Sequence, residues 1–169
     1  MGQLFLLLGM ANAVMIAPYI ARLPREQVLK RYIQIAGFAL LIASLMCVVA
    51  FLFPQPLLWL LGPQYQNLSK EIGWAVAGSC VGYVSSVLLV MHNARKWIYW
   101  WWSTTHIVVL LIAQVALLFI LNLSITRDVL YFSLTINLVA LIILFLVGLY
   151  GFVHGPPKRL RTNEVAISS

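Results

Sequence analysis

Five long apolar runs, separated by short polar links, dominate the pattern of the chain. The last four contain no Asp, Glu, Lys or Arg within their apolar centres, whereas the first contains Asn12 and Pro18. Each run reaches the roughly 17 to 25 residues that an α-helix needs to cross about 30 Å of hydrocarbon. The pattern therefore predicts an all-α, polytopic membrane helical bundle over residues 1–153, with spans at approximately 3–21, 32–53, 72–92, 98–122 and 129–153. Whether 3–21 crosses the bilayer or lies on it stays open at this point.

The amino-acid composition also indicates a membrane protein. Of the 169 residues, 63% are hydrophobic and 9% are charged, against about 25% charged in an ordinary soluble domain. A soluble core has no room for so much apolar surface. The net charge of +7 comes from residues in the links and the tail, so it indicates membrane orientation and contact with membrane lipid rather than nucleic-acid binding.

The links alternate in charge along the chain. Residues 22–31, 93–97 and the tail 154–169 are cationic, whereas 54–71 and 123–128 are balanced. Because cytoplasmic loops carry the excess of Lys and Arg, the alternation predicts an outer N-terminus and a cytoplasmic C-terminus in a cytoplasmic (inner) membrane. The first link supplies a cytoplasmic cationic patch, formed by Arg22, Arg25, Lys30 and Arg31.

The longest interruption of the apolar pattern is the stretch FPQPLLWLLGPQYQNLSKEI at 53–72. Pro54 and Pro56 predict the end of the preceding helix. The apolar turn 57–61 is too short to span, and Gly62-Pro63 stops it. We expect this stretch to lie on the outer surface as an interfacial cap between two transmembrane hairpins.

Polar and small residues inside the spans are the candidates for function. Gly78 and Gly82 form a small-xxx-small pair that predicts close helix packing. Polar groups at membrane depth face protein or water rather than lipid, so the others either form interhelical hydrogen bonds or line a substrate path. These substrate-path candidates are Ser79, Tyr83, Ser86, His106, Gln114 and Asn137.

An aromatic run, Trp97 to Trp102, follows Arg95-Lys96 directly. Such residues are typical of the belt that anchors a helix at the membrane interface. A stacking platform for a sugar or an isoprenoid is the alternative. Three adjacent Trp side chains point in different directions around a helix, which favours the belt.

The sequence offers little for catalysis. It contains no intramembrane carboxylate pair, no HExxH and no Gly-rich phosphate loop. We expect His92, His106 and His154 to be far apart, and they have no carboxylate partner at membrane depth. We expect neither an enzyme nor a metal or other cofactor.

The region around the cap resembles the polysaccharide and O-antigen flippases of the multidrug/oligosaccharidyl-lipid/polysaccharide exporter superfamily. The basic segment LPREQVLKRYIQIAGFALL leads into a helix, and FPQPLLWLLGPQYQ is similar to that family's recurring pattern of Pro, a Leu-rich turn, Leu-Gly and a following Tyr. A helix rich in small residues comes next. The matching positions of the cap are Pro54 or Pro56, Leu57, Leu58, Leu61, Gly62 and Tyr65.

The resemblance covers approximately 10–153 and implies the last five helices of a transporter of about a dozen. It implies transport of a lipid-linked oligosaccharide, with the cationic patch attracting the diphosphate; the patch alternatively only fixes orientation and binds anionic lipid. We would then expect a chain that starts part-way through a larger protein and works with the missing N-terminal half or with another copy of itself. The alternatives are a small accessory protein packed against another membrane protein, and a membrane enzyme acting on a lipid phosphate, which the lack of a carboxylate or His pair disfavours.

Overall fold

The computed structural model describes residues 2–61, 68–69, 71–97 and 99–155, without the side chains of residues 2–8, 25, 60 and 61. Every regular element in these ranges is helical, which confirms the predicted all-α class. The elements are α1 (Gly2–Ala21), α2 (Arg25–Leu52), α3 (Pro54–Leu61), α4 (Ile72–Ala94), α5 (Trp100–Ile120) and α6 (Thr126–His154).

Among the residues described with their side chains, four helices are long and apolar enough to cross a membrane: Glu26–Leu52, Ile72–Ala94, Trp100–Ile120 and Thr126–His154. The part of α1 described in this way, Gly9–Ala21, is also apolar, and α1 as a whole has 20 residues. The chain is therefore a multi-pass membrane helical bundle. One boundary differs from the prediction, because α2 begins at Arg25 rather than at residue 32. Much of the basic link thus forms the first two turns of α2, and only residues 22–24 connect α1 to it.

The break in the middle of the chain lies where the prolines predict it. α2 ends at Leu52, and Pro54 opens α3 after the single residue Phe53. Proline is tolerated in a first helical turn, where its missing N–H leaves no hydrogen bond unmade, so both prolines belong to α3 instead of standing outside a helix. The cap helix buries Leu58 and leaves Trp59 82% exposed. Gly62, Pro63 and Tyr65 lie outside the described residues.

α4 is the central helix, since it packs against α6, α2 and α1, whereas the main neighbour of α5 is α6. The pairwise contacts fix the directions. Asn12 meets Tyr83 and Leu23 meets Arg95, so α1 runs parallel to α4. α6 is also parallel to α4: Trp74 meets Tyr131 at one end, and Gly148 approaches His92 at the other. α2 is antiparallel to α4, as its Tyr32 contacts His92 and its Phe51 contacts Trp74.

These directions bring the cationic links to one end of the bundle. The last turns of α1, α4 and α6 and the first turns of α2 and α5 lie at this end. We call it the cationic end, and its charged residues are Arg22, Arg25, Glu26, Lys30, Arg31, Arg95 and Lys96. The opposite, distal end has Glu71, Arg127 and Asp128 among its described residues. The predicted separation of charge is thus present in the fold.

An aromatic cluster holds the cationic end together. Trp97, only 5% exposed, packs edge to face on Phe152 at 4.7 Å between ring centroids, and it lies against Tyr32 and His92. A Cβ atom at Gly151 would lie 2.5 Å from Cδ2 of Trp97, so only glycine permits this approach. The prediction of a membrane-surface belt is therefore wrong for Trp97, and also for the buried Tyr99. It fits Trp100 and Trp101, which are exposed.

Candidate functional site: a polar groove and a histidine cavity

Two concave sites lie along α4, one toward each end of the bundle. The first, here called the distal groove, lies between the first half of α4 and the start of α6 and has a volume of about 360 Å³. It is open on one side. Its described lining residues are Trp74, Ala75, Gly78, Ser79, Gly82, Leu130, Ser133 and Asn137.

The two glycines of the small-xxx-small pair form the floor of this groove. A Cβ atom at Gly78 would lie 3.8 Å from the backbone N of Leu134, and one at Gly82 would lie 3.5 Å from Oδ1 of Asn137. Both are ordinary van der Waals distances. The glycines do lie at the α4–α6 contact, as predicted, but alanine would fit at either position. The absence of side chains at Gly78 and Gly82 leaves open space in the groove.

Polar groups line the groove without closing it. The Ser79 hydroxyl donates to the Ala75 carbonyl at 3.0 Å, and the Asn137 amide donates to the Ser133 carbonyl at 3.0 Å. Each donor is thus satisfied within its own helix. The amide oxygen of Asn137 faces Gly82 across the groove. A molecule in the groove would meet hydroxyl and amide oxygens at a depth where lipid offers none.

Two of the substrate-path candidates on α4 face elsewhere. Asn12 Nδ2 on α1 donates to the Tyr83 hydroxyl at 2.9 Å. The Ser86 hydroxyl donates to the Tyr83 carbonyl at 2.7 Å and lies close to Gly9. Tyr83 and Ser86 therefore face α1, and neither is among the described residues of the groove. The hydrogen bond of Tyr83 to Asn12 is interhelical, whereas that of Ser86 lies within α4.

The second site, here called the histidine cavity, is at the cationic end and has a volume of about 180 Å³. It lies where α4, the 95–99 link, the first turns of α5 and the second half of α6 meet. Its described lining residues are Leu89, His92, Asn93, Trp97, Tyr99, Trp102, Ser103, His106, Leu144 and Val147. Of the predicted substrate-path residues, it contains His106.

His92 is the most deeply buried polar residue of this cavity, with 2% of its surface exposed. Its Nε2 lies 2.9 Å from the Tyr32 hydroxyl of α2. Gly148 of α6 allows this approach, since a Cβ there would lie 2.9 Å from Tyr32 Oη and 3.0 Å from His92 Nε2. The Tyr32–His92 hydrogen bond thus joins α2 to α4, and both side chains lie against α6 at Gly148.

Three buried nitrogen atoms of the cavity residues have no hydrogen-bond partner in the described part of the chain. They are His92 Nδ1, Trp102 Nε1 and His106 Nε2. Most buried polar groups in proteins are hydrogen-bonded, so three unpaired atoms around one cavity are unusual. The sequence interpretation of the histidines as far apart is wrong for His92 and His106, which the α4–α5 turn brings to the same cavity.

The link that shapes the cavity is tied to its surroundings. Arg95 Nη1 donates to the Leu23 carbonyl at 3.0 Å, beyond the end of α1, where a cation is favourable. The Tyr99 hydroxyl donates to the carbonyl of Gly155 at the end of α6. Burial raises the pKa of Tyr99, with a further contribution from Tyr150, so this hydroxyl keeps its proton at neutral pH.

The remaining candidates lie away from both sites. Gln114 is half-buried and is not among the described lining residues of either one. Of the cationic patch, Arg22, Lys30 and Arg31 are exposed, and Arg31 donates to Gln34 Oε1 at 3.0 Å. The side chain of Arg25 lies outside the description. The patch shares the cationic end with the histidine cavity, but none of its members is among the described lining residues.

Sequence reasoning missed His92 and Trp102. A signal for His92 was its position two residues before the end of α4, beside the cations of the link. Its partner Tyr32 is 60 residues away, and no local pattern joins the two. Trp102 lies in a run of similar residues, and only the α5–α6 packing separates its half-buried ring from its exposed neighbours. No protein-family model, curated protein or solved structure matches the chain.

Proposed function

We propose that this membrane bundle is part of a flippase-like transporter that moves a lipid-linked oligosaccharide across the cytoplasmic membrane for cell-surface polysaccharide synthesis. The observation that carries the proposal is the distal groove, an open concavity between two membrane-spanning helices in which Ser79, Ser133 and Asn137 lie among apolar residues. Polar side chains within membrane spans usually face protein or water rather than lipid. A glycan that crosses the membrane needs hydroxyl and amide partners of the kind that Ser79, Ser133 and Asn137 offer.

The distribution of charge supports the direction. The cationic end carries Arg22, Lys30 and Arg31 on exposed positions. In the proposal this end faces the cytoplasm, as cationic loops do, and attracts the diphosphate of the lipid carrier before the glycan enters. The N-terminus is then outside, and the segment that follows α6 is cytoplasmic.

The open side of the groove requires a second wall. One bundle shelters a polar glycan on one flank only, so the proposal includes a second helical bundle, provided by another copy of this chain or by a separate polypeptide. The mass of the purified protein in a lipid nanodisc distinguishes a copy from a different partner.

Transport is tested in vesicles that contain the purified chain and a fluorescent lipid-linked oligosaccharide, with a membrane-impermeant quencher as the readout. We expect Gly82→Leu to lower the rate at least tenfold, because its side chain fills the groove beside Asn137. The matched control is Gly37→Leu on α2, where nothing lies within 4 Å of a built Cβ. The same pair is compared for growth in a strain that lacks its polysaccharide flippase. Equal rates for the two variants, or no activity of the unmodified chain with or without its partner, would contradict the proposal.

One observation favours the alternative of an accessory protein. No residue of α5 is buried, and its main neighbour is α6, so several of its faces are available to another membrane protein. If the chain is an accessory protein, Ile112→Ser or Phe119→Ser abolishes its co-purification with the partner, since both residues are exposed on α5. The groove variants then leave co-purification unchanged.

A further inference from the structure

The histidine cavity has a position, a set of unpaired nitrogen atoms and a volume that the transport proposal does not use. It lies between α4, α5 and α6 at the cationic end, and three nitrogen atoms of its residues are buried and unpaired in the described part of the chain: His92 Nδ1, Trp102 Nε1 and His106 Nε2. An indole N–H can only donate. With about 180 Å³, the cavity is larger than the roughly 30 Å³ that one water molecule occupies.

The hydrogen bond to Tyr32 determines which ring nitrogen of His92 carries the hydrogen and can donate it. The Tyr32 hydroxyl has His92 Nε2 as its only partner in the described part of the chain. If the hydroxyl only accepted, its own hydrogen would be buried without an acceptor. Donation from Tyr32 to Nε2 avoids this, and a neutral imidazole then carries its hydrogen on Nδ1. His92 and Trp102 therefore each offer a donor to the occupant of the cavity.

The surroundings favour an occupant with negative charge. No described lining residue is Asp or Glu, and Glu26 is the only carboxylate beside the six cations of the described cationic end. The depth is also specific. His92 lies near the end of α4, and the exposed Trp100 is on the next helix at its first position, which is where lipid headgroups meet the hydrocarbon.

We propose that the histidine cavity binds the phosphoryl group of a phosphate-bearing molecule at the membrane surface, with His92 and Trp102 as hydrogen-bond donors and with His106 Nε2 as a third donor in the tautomer that carries its hydrogen there. Phosphoryl oxygens accept several hydrogen bonds at once, and a charged acceptor strengthens each of them. The site goes beyond the proposed transport function, because a headgroup can bind here whether or not a glycan crosses the membrane.

The test measures binding to the purified full chain in detergent by native mass spectrometry. The probes are a short-chain isoprenyl diphosphate, phosphatidic acid, inorganic pyrophosphate and, as the phosphate-free control, diacylglycerol. We expect the phosphate-bearing lipids to bind and diacylglycerol not to bind. Pyrophosphate that competes shows that the phosphoryl group suffices, and binding of the lipids alone assigns the site to headgroups. Equal binding of diacylglycerol, or a cavity that takes up water only, would overturn the proposal.

Matched variants locate the site. Trp102→Phe removes the indole N–H and keeps an aromatic ring, so we expect roughly tenfold weaker binding, the effect of one hydrogen bond to a charged group. Trp100→Phe makes the same change on a side chain that is 84% exposed and should leave affinity unchanged. His106→Leu should weaken binding in the same way, and His106→Gln, which keeps an N–H, should restore much of it. Unchanged affinity in both Trp102→Phe and His106→Leu would refute the assignment.

The two proposals fail separately. If the unmodified chain transports the oligosaccharide in the vesicle assay but binds none of the phosphate-bearing probes, this site is refuted and the transport function stands. If the unmodified chain binds the phosphate-bearing lipids but transports no oligosaccharide, the transport function is refuted and this site stands.

Discussion

The Asn12 amide donates a hydrogen bond to the Tyr83 hydroxyl at 2.9 Å, which joins α1 to the central helix α4. In the sequence, Asn12 weakens the first apolar run. In the fold, it forms a hydrogen bond that joins this helix to the bundle, and the partially buried bond explains why an amide is tolerated at this depth.

Removal of this bond should destabilise the bundle modestly. Tyr83→Phe leaves the Asn12 amide without its acceptor, and we expect a loss of about 0.6 kcal/mol, up to roughly 1.7, in the free energy of unfolding, the range for interhelical hydrogen bonds in membranes. A double-mutant cycle with Asn12→Leu, measured by unfolding in detergent micelles, isolates the pair. A coupling energy of zero would show that the bond contributes nothing.

The approach of Gly151 to Trp97 should not tolerate a methyl group. Gly151→Ala places Cβ 2.5 Å from the indole ring, so the aromatic cluster must shift, and we expect a destabilisation of about 1–3 kcal/mol. Gly37→Ala is the control, because nothing lies within 4 Å of its Cβ. Thermal unfolding midpoints in the same detergent compare the two. Equal midpoints would mean that the cluster is looser than the distance indicates.

The turn after α4 contains a strained residue. Lys96 has φ 56°, in the left-handed region, and its neighbour Trp97 donates from its backbone N–H to the His92 carbonyl at 2.9 Å, as in a Schellman cap. Glycine adopts this conformation without the penalty of roughly 1–2 kcal/mol. We therefore expect Lys96→Gly to raise the free energy of unfolding by about 1 kcal/mol. Lys96→Ala removes the same charge and keeps the strain, so it should not stabilise; a gain in both variants would attribute the effect to charge.

Accessibility tests the orientation. After Cys47 and Cys80 are replaced by alanine, a single cysteine at the exposed Ser124, near the distal end, should react in intact cells with a membrane-impermeant maleimide. One at the exposed Gln27, at the cationic end, should react only after the cells are opened. The reverse pattern would place the cationic end outside and contradict the charge argument.

The helices and their breaks could be predicted because their causes are local. An apolar run of sufficient length predicts a spanning helix, and Pro54 predicts the break before α3. The choice of α4 as the central helix had no such cause. Lipid tails are as apolar as leucine, so a residue such as Phe119, 87% exposed, and one such as Met91, fully buried, look equivalent in the sequence.

The candidate sites were predictable only in part. Ser79 and Asn137 are polar inside apolar runs, which made them candidates, and both line the distal groove. Tyr83 had the same signal, yet it bonds to Asn12, because a hydroxyl at membrane depth is served equally well by a groove or by a neighbouring amide. His92 and His106 meet through a turn whose geometry depends on Lys96 in the left-handed region, which a lysine does not indicate.

The position of α6 after α4 and α5 in the chain has a consequence for biosynthesis, because α6 packs on both of them. The ribosome delivers α5 before α6, although α6 is the main neighbour that holds α5 in place. Until residues 126–154 have emerged, α5 has no settled position, and the glycine face of α4 stays uncovered. α6 therefore completes the packing of the described helices, and a nascent chain that stalls before it should be recognised by membrane quality control as unfinished.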